Sequence, residues 1–363
     1  MRNKKNLWVL GPRDKKLSGI GLYSTNLIKG LSSKGYIDDV LYIPFKSRSV
    51  MRYLYQFIYL PIYLMLFSYK YKHVILYEEA YSFLIPFCDL FKKRAVLIFH
   101  HVPEENSADS LIEKLKYFYM KIVILFTTFS RTIVFPSEFS RQAYLTTFQS
   151  SGKAKGKVRV VIPNSFDFSN VIDSGMPGNN AATKEHIISF LYVGSEEARK
   201  NLNVAVSALA ELGRDNNIRF TKIGKPIVEE NREELLAILS DSALEYKIID
   251  FADNQNLEFY LSSCDFFIMP SLHEGFGRTP IEAQYHGKLV IASDIPVLRE
   301  TMGDSAIYVP QPHLIESWVK IMKQVILLDD AKLYDYRTKA RINARRYSVE
   351  NITSKFIDAV IER

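Results

Sequence analysis

"SGMPGNNAATKEHIISFLYVG", residues 174–194, divides this chain of 363 residues into two similar halves. Ser174–His186 is rich in Gly, Pro, Asn and small side chains, a composition that interrupts helices and strands and marks a linker. Ile187–Gly194 then starts a short, continuous apolar run closed by a glycine, the pattern of a parallel strand covered on both faces. Runs of the same kind precede the linker: Leu7–Leu10, Val40–Pro44, His73–Glu78, Ala95–His100, Thr132–Ser137 and Lys157–Ser165. They also follow it: Ile218–Pro226, Tyr246–Ala252, Cys264–Ser271, Gly287–Asp294 and Ser305–Pro310. Helical periodicity separates them, as in Asn201–Leu212 and in the first helix, where Leu22, Leu27, Ile28 and Leu31 share a face and Gly35 suits the end. Two consecutive βα arrays predict two doubly wound α/β domains facing a cleft. The expected limits are 1–170 and 187–345, joined by a linker at 171–186, with 346–363 as a helix crossing back to the first domain.

Hydrophobic residues make up 47% of the chain, enough for full cores and against global disorder. Cys88 and Cys264 lie far apart and form neither a disulfide framework nor a metal spacing, which fits a reducing, cytoplasmic setting. The apolar run after the basic start is too short for a secretory signal. Residues 1–170 hold 25 Lys+Arg against 12 Asp+Glu, a balance of +13, and the remainder stands at −6. The basic half suits an anionic partner: nucleic acid is one candidate, an anionic membrane surface, with the protein peripheral on its inner face, is another. Met51–Lys72 bears on that choice. Its apolar length reaches the short end of a membrane span, but Gln56 and Pro61 interrupt it and Tyr is abundant. Three placements follow in order of preference: a buried or partly buried helix of an α/β domain, a surface helix in the lipid interface, and a span. Tyr117–Phe129 is expected as a core helix or helix–strand segment.

Chemistry concentrates in Ser271–Gly287, "SLHEGFGRTPIEAQYHG". Thr279-Pro280-Ile281-Glu282 predicts a helix start with Thr279 as N-cap and Glu282 closing a capping box. Such a helix end favours phosphate. Gly275 and Gly277 allow close backbone approach, and Glu274 and Glu282 stand where hydroxyls on either side of a diphosphate could donate to them. In "YVGSEEARKN", Tyr192–Asn201, the cations Arg199 and Lys200 fall near a helix start, an unfavourable place without an anion.

"PSLHEGFGRTPIEA" resembles the signature of glycosyltransferase family 4, retaining enzymes with two Rossmann-like domains in the GT-B fold. The resemblance implies that Glu274 contacts the donor sugar and Glu282 the ribose, with Gly275, Phe276, Gly277, Arg278 and Thr279 around them. It places Lys200, aided by Arg199, on the donor diphosphate. It matches Gly19 and Gly21 to the first glycine loop, His100 (His101 second) to the histidine near the reacting carbon, and Glu300 to the closing segment. Arg278 stands where the family has an apolar residue, Ser195 where many members have Arg, and Asn164-Ser165 where Asn-Gly is usual. The residues taken as catalytic are His100, Glu274 and Lys200.

No Asp-x-Asp triplet occurs, so no metal or other cofactor is expected. The expected reaction is retaining, metal-independent transfer from a UDP- or GDP-sugar to a saccharide or lipid-linked acceptor, in surface polysaccharide synthesis. A nucleotide-sugar epimerase or hydrolase on the same fold is the alternative. A nucleic-acid-binding protein comes third, since no nucleic-acid module is recognisable.

Overall fold

The computed structural model of the chain describes residues 5–12, 19–36, 38–46, 49–89, 94–100, 118, 122, 125–148, 158–168 and 187–362. The expected linker and His101 lie outside them. The chain forms two compact units, Met1–Asp167 with Tyr347–Arg363, and Phe168–Arg346.

In the first unit six strands form one parallel sheet: β1 (Leu7–Pro12), β2 (Asp39–Ile43), β3 (His73–Leu76), β4 (Arg94–Ile98), β5 (Thr132–Phe135) and β6 (Val158–Val161). Their order is β2-β1-β3-β4-β5-β6. The apolar runs are buried along their whole length in β1, β3 and β5, because helices cover both faces of a parallel sheet. The first helix, Gly19–Ser33, buries Tyr23, Leu27 and Leu31 and ends before Gly35, whose φ of 83° suits a residue without Cβ. The last helix, Val349–Phe356, belongs to this unit: Phe356 stacks on Trp8 at 5.8 Å, and Ser348 caps it by accepting from the Asn351 N–H at 3.3 Å.

The second unit repeats the plan with β7 (Ile188–Val193), β8 (Ile218–Ile223), β9 (Glu245–Ile249), β10 (Phe266–Met269), β11 (Leu289–Ser293) and β12 (Ala306–Val309). The order is β12-β11-β10-β7-β8-β9, all parallel. The chain builds outward from β7 to β9, then returns to β7's other side and builds away through β12. The order therefore reverses between β7 and β10, where doubly wound sheets bind ligands beyond the strands' carboxyl ends. The corresponding reversal in the first sheet lies between β1 and β3. Phe190 of β7 and Phe266 of β10 meet at 5.3 Å in the core, under the helix Leu202–Leu212 with Leu202, Val206 and Leu209 buried.

Two apolar segments leave much of their apolar surface exposed, the first as a partly buried helix and the second against the expectation of a core segment. Val50–Lys70 is one helical run whose buried residues are Gln56, Leu60, Pro61, Leu64 and Ser68, and whose broad apolar face is exposed. Its inward stripe recurs every four residues and is too narrow to cover the remaining apolar side chains. Pro61 has no N–H for the preceding turn, and a wide π turn, Tyr55–Tyr59, stands just before it. Within Tyr117–Phe129, the described residues Phe118, Ile122, Leu125 and Phe129 are exposed, not core.

Candidate functional site

The loops after β7 and β10 bracket the reversal point of the second sheet. The Gly194 N–H donates to the Ile223 carbonyl at 2.9 Å, joining the ends of β7 and β8. Gly224 follows with φ 131°, and a Cβ there would stand 2.4 Å from the Gly194 carbonyl oxygen, so this crossing requires glycine. The Tyr192 hydroxyl donates to the Ser195 carbonyl at 2.7 Å, and Ser195 Oγ donates to Glu197 at 2.7 Å. These bonds fold the loop into a short 3₁₀ turn, Ala198–Lys200, closed by Asn201 in the left-handed region at φ 53°. Leu202–Leu212 follows directly. Arg199 and Lys200 thus occupy the turn before a helix, as the sequence predicts.

A backbone bond from Leu272 N–H to the Arg199 carbonyl, 2.9 Å, joins this turn to the loop after β10. There the Lys200 ammonium pairs with Glu274, and the two side chains are only 14% and 11% exposed. Arg199 approaches the same carboxylate at 4.0 Å and donates to Glu197 at 2.8 Å. Phe276 is buried, and Gly277 turns the chain at φ 81° into the helix Arg278–Tyr285. A Cβ at Gly277 would meet Leu298 Cδ2 at 2.8 Å.

The helix start differs from the expectation. Gly277, not Thr279, is the N-cap, because its left-handed backbone already turns the chain into the helix. The Thr279 hydroxyl faces Met269 Sδ at 3.9 Å. Glu282 makes no capping box: its carboxylate accepts from Arg278 at 3.4 Å, a pairing one helical turn apart. Burial disfavours the Arg278 charge, and Glu282 favours it. Two acid–base pairs, Lys200–Glu274 and Arg278–Glu282, therefore border the Gly275–Gly277 turn.

Beneath the β7 loop lies a charge network that the sequence did not reveal. Glu196 pairs with Lys222, and both are fully buried. Arg232 donates through Nε to both Glu196 oxygens at 2.7 and 2.9 Å and through its terminal nitrogen to Asp250 at 2.9 Å. Burial pulls the Lys222 pKa down, and Glu196 opposes that pull. In sequence Lys222 is one cation in a strand and Arg232 one of several charges on a surface helix. Nothing in their spacing links them.

His286, just past the site helix, is held neutral. Burial, with help from Lys288 and Arg341, lowers its pKa from 6.5 to about 4. The unfolded chain takes up this proton near 6.5 and the native chain only near 4. Stability is therefore undiminished above 6.5 and falls as acidity increases toward 4, by on the order of 2 kcal/mol after solvent screening. Urea unfolding at stepped pH checks this: His286→Gln should flatten the profile in that window, and an unchanged profile would assign the loss elsewhere.

In the first unit His100 follows β4 and is buried. Its backbone N–H donates to Glu79 at 2.9 Å, and its Nε2 lies 3.1 Å from the Tyr77 carbonyl oxygen. A carbonyl only accepts, so Nε2 carries a proton. Tyr23 packs edge-on against the ring at 5.2 Å and donates to the Ile162 carbonyl at 2.9 Å, and Asn26 donates to the Ser165 carbonyl at 2.7 Å. Gly19 and Gly21 stand in the first turn of the helix, not in the loop before it. Glu300 is exposed on the helix Pro296–Met302 of the second unit. Among the described residues no group of three or more His, Cys, Asp or Glu side chains is placed to hold a metal.

The paired carboxylates and cations at a sheet reversal, beside two helix starts, coincide with a known domain. Residues 178–347 match the family of glycosyl transferases group 1. Relatives include the serotype-specific mannosyltransferase WbdA of Escherichia coli, 27% identical over 168 residues, 45% of this chain and 20% of that protein. Another is the Campylobacter jejuni N-acetylgalactosamine-N,N'-diacetylbacillosaminyl-diphospho-undecaprenol 4-alpha-N-acetylgalactosaminyltransferase, 26% identical over 192 residues, 52% of this chain and 49% of that one. The matches thus span less than half of either relative's length. Across 99% of this chain and all of the other, the fold matches Anabaena HepE in complex with UDP-glucose, with a TM-score of 0.75 at 15% identity. That likeness is one of fold, the pair of doubly wound sheets of the GT-B class. The group 1 domain contains Lys200, Glu274, Arg278 and Glu282, and His100 lies outside it.

Proposed function

We propose that this chain is a retaining glycosyltransferase that moves a sugar from a UDP- or GDP-sugar to a saccharide or lipid-linked saccharide in surface polysaccharide synthesis. The Lys200–Glu274 pair at the reversal point of a group 1 domain carries this reading. An ammonium has three N–H donors. One satisfies Glu274, and the others can serve a diphosphate without breaking that pair. The N–H groups at the start of Arg278–Tyr285, freed by the Gly277 turn, supply further donors. Breaking the glycosidic bond leaves positive charge on the sugar and negative charge on the departing phosphate. Fixed donors for that leaving charge supply most of the rate enhancement. Glu274 accepts from the sugar hydroxyls, and Glu282 from the ribose. The acceptor oxygen attacks from the face the diphosphate leaves, and its proton passes to the departing phosphate oxygen. Glu274 keeps its charge throughout as Lys200's partner and forms no bond to the sugar. In this reading the family resemblance gives His100, its Nε2–H held by the Tyr77 carbonyl, a role toward the reacting sugar. A Staphylococcus aureus relative named as a capsular polysaccharide biosynthesis glycosyltransferase supports the polysaccharide setting, and the C. jejuni enzyme's diphospho-undecaprenol acceptor supports a lipid-linked one.

A thermal-shift panel with UDP, GDP, ADP and CMP tests the donor site. The matching diphosphate near a hundredfold its Kd should raise Tm by about 5 °C. No shift with any of them would overturn the reading. Sugar released to water, or isomerised, without acceptor would move it to a hydrolase or epimerase.

A further inference from the structure

The helix Val50–Lys70 distributes its side chains against the usual rule. Gln56 and Ser68 are buried in the first unit, with Gln56 Oε1 lacking a hydrogen-bond partner, while Met51, Leu54, Phe57, Ile58, Ile62 and Leu66 are each 43–55% exposed. A contiguous apolar face of this kind marks an interaction surface. Its charge says what covers it. Residues 44–77 contain no Asp or Glu, and the cations Lys46, Arg52 and Lys70 stand near the ends of the apolar face. Arg52 and Lys70 are about 27 Å apart along a helix. Exposed Tyr53, Tyr59 and Tyr69 place phenol rings on the same helix, and Lys70 lies over the Phe67 ring at 4.7 Å. Apolar face, basic ends and tyrosines together match a helix lying in the headgroup boundary of an anionic bilayer.

We infer that this helix docks the protein on an anionic lipid surface, in the plane of the membrane and without crossing it. Crossing would extract Leu60 and Leu64, both fully buried, from the first unit and carry Arg52 and Gln56 into hydrocarbon. A second copy of the chain is a poorer occupant, because it would set basic ends against basic ends with no acidic residue in the stretch to answer them. The inference is independent of the transfer chemistry.

The full chain, sedimented with sucrose-loaded vesicles of phosphatidylcholine alone or with added phosphatidylglycerol, tests it. The bound fraction should rise about tenfold or more with the anionic lipid and fall with salt. Ile58→Ser/Leu66→Ser should reduce binding about tenfold through lost apolar contact, and Arg52→Gln/Lys70→Gln through lost charge, each with unchanged circular dichroism. Equal binding to both vesicle types, or variants that bind like the parent chain, would overturn the proposal. So would a dimer in light scattering that Ile58→Ser/Leu66→Ser splits, and so would protein that alkaline carbonate fails to strip from vesicles. The nucleotide panel reads the donor site separately, so either proposal can fail alone.

Discussion

Lys200→Ala should weaken nucleoside diphosphate binding about 10- to 100-fold, as read by calorimetry. One charge-assisted hydrogen bond to phosphate contributes roughly 1.5–3 kcal/mol, and each 1.4 kcal/mol is a factor of ten. Lys200 is positioned for that loss to be felt. It sits in a 3₁₀ turn joined to the next loop by the Leu272–Arg199 backbone bond, with its side chain 14% exposed. Arg199, at 4.0 Å from the same carboxylate, is too exposed and too engaged with Glu197 to replace it fully. Glu274→Gln separates the roles. It frees the ammonium from its acidic partner, so the diphosphate alone should bind as well as before or better, while sugar transfer falls. If Lys200→Ala leaves affinity unchanged, the anion lies elsewhere and the site assignment fails.

Glu196→Ala should destabilise the protein by about 3–5 kcal/mol in urea unfolding, a buried charge having lost its counter-ion. Lys222 would be left fully buried without the carboxylate that pairs directly with its ammonium. Lys222→Met should be milder, since Arg232 still holds both Glu196 oxygens at 2.7 and 2.9 Å. Combining Glu196→Gln with Lys222→Met removes both charges, and the pair should be less unstable than the two single changes added together. Equal, additive losses would mean that the network carries no coupling. Because Glu196 stands in the loop that presents Arg199 and Lys200, the single change should also loosen diphosphate binding.

The parts legible in sequence were those written in local pattern. The apolar runs gave the strands, since a parallel strand covered on both faces has no reason to alternate. The Gly-flanked Glu274 and the cations before Asn201 gave the site loops, since tight turns and helix starts draw on few residue types. The helix start itself was misplaced by two residues: Thr279 and Glu282 satisfy a capping pattern, but the positive φ of Gly277 had already begun the helix. For Val50–Lys70 the sequence leaves a partly buried and a lipid-facing helix both open, for another reason. An apolar segment has the same composition whether protein or lipid covers it, and only its packing shows which side is left open.

Sequence alone determined the parallel strands and the identity of the ionisable groups near the turns after β7 and β10, because each depends on neighbours within a few residues. Tertiary structure decided which strands adjoin, and so that the loops after β7 and β10 meet. It also decided that Lys200 is paired with Glu274 and that Glu196 is held by Lys222 and Arg232. Partners 26 to 74 residues apart are chosen by the order of strands in a sheet, and that order follows from how the whole unit packs.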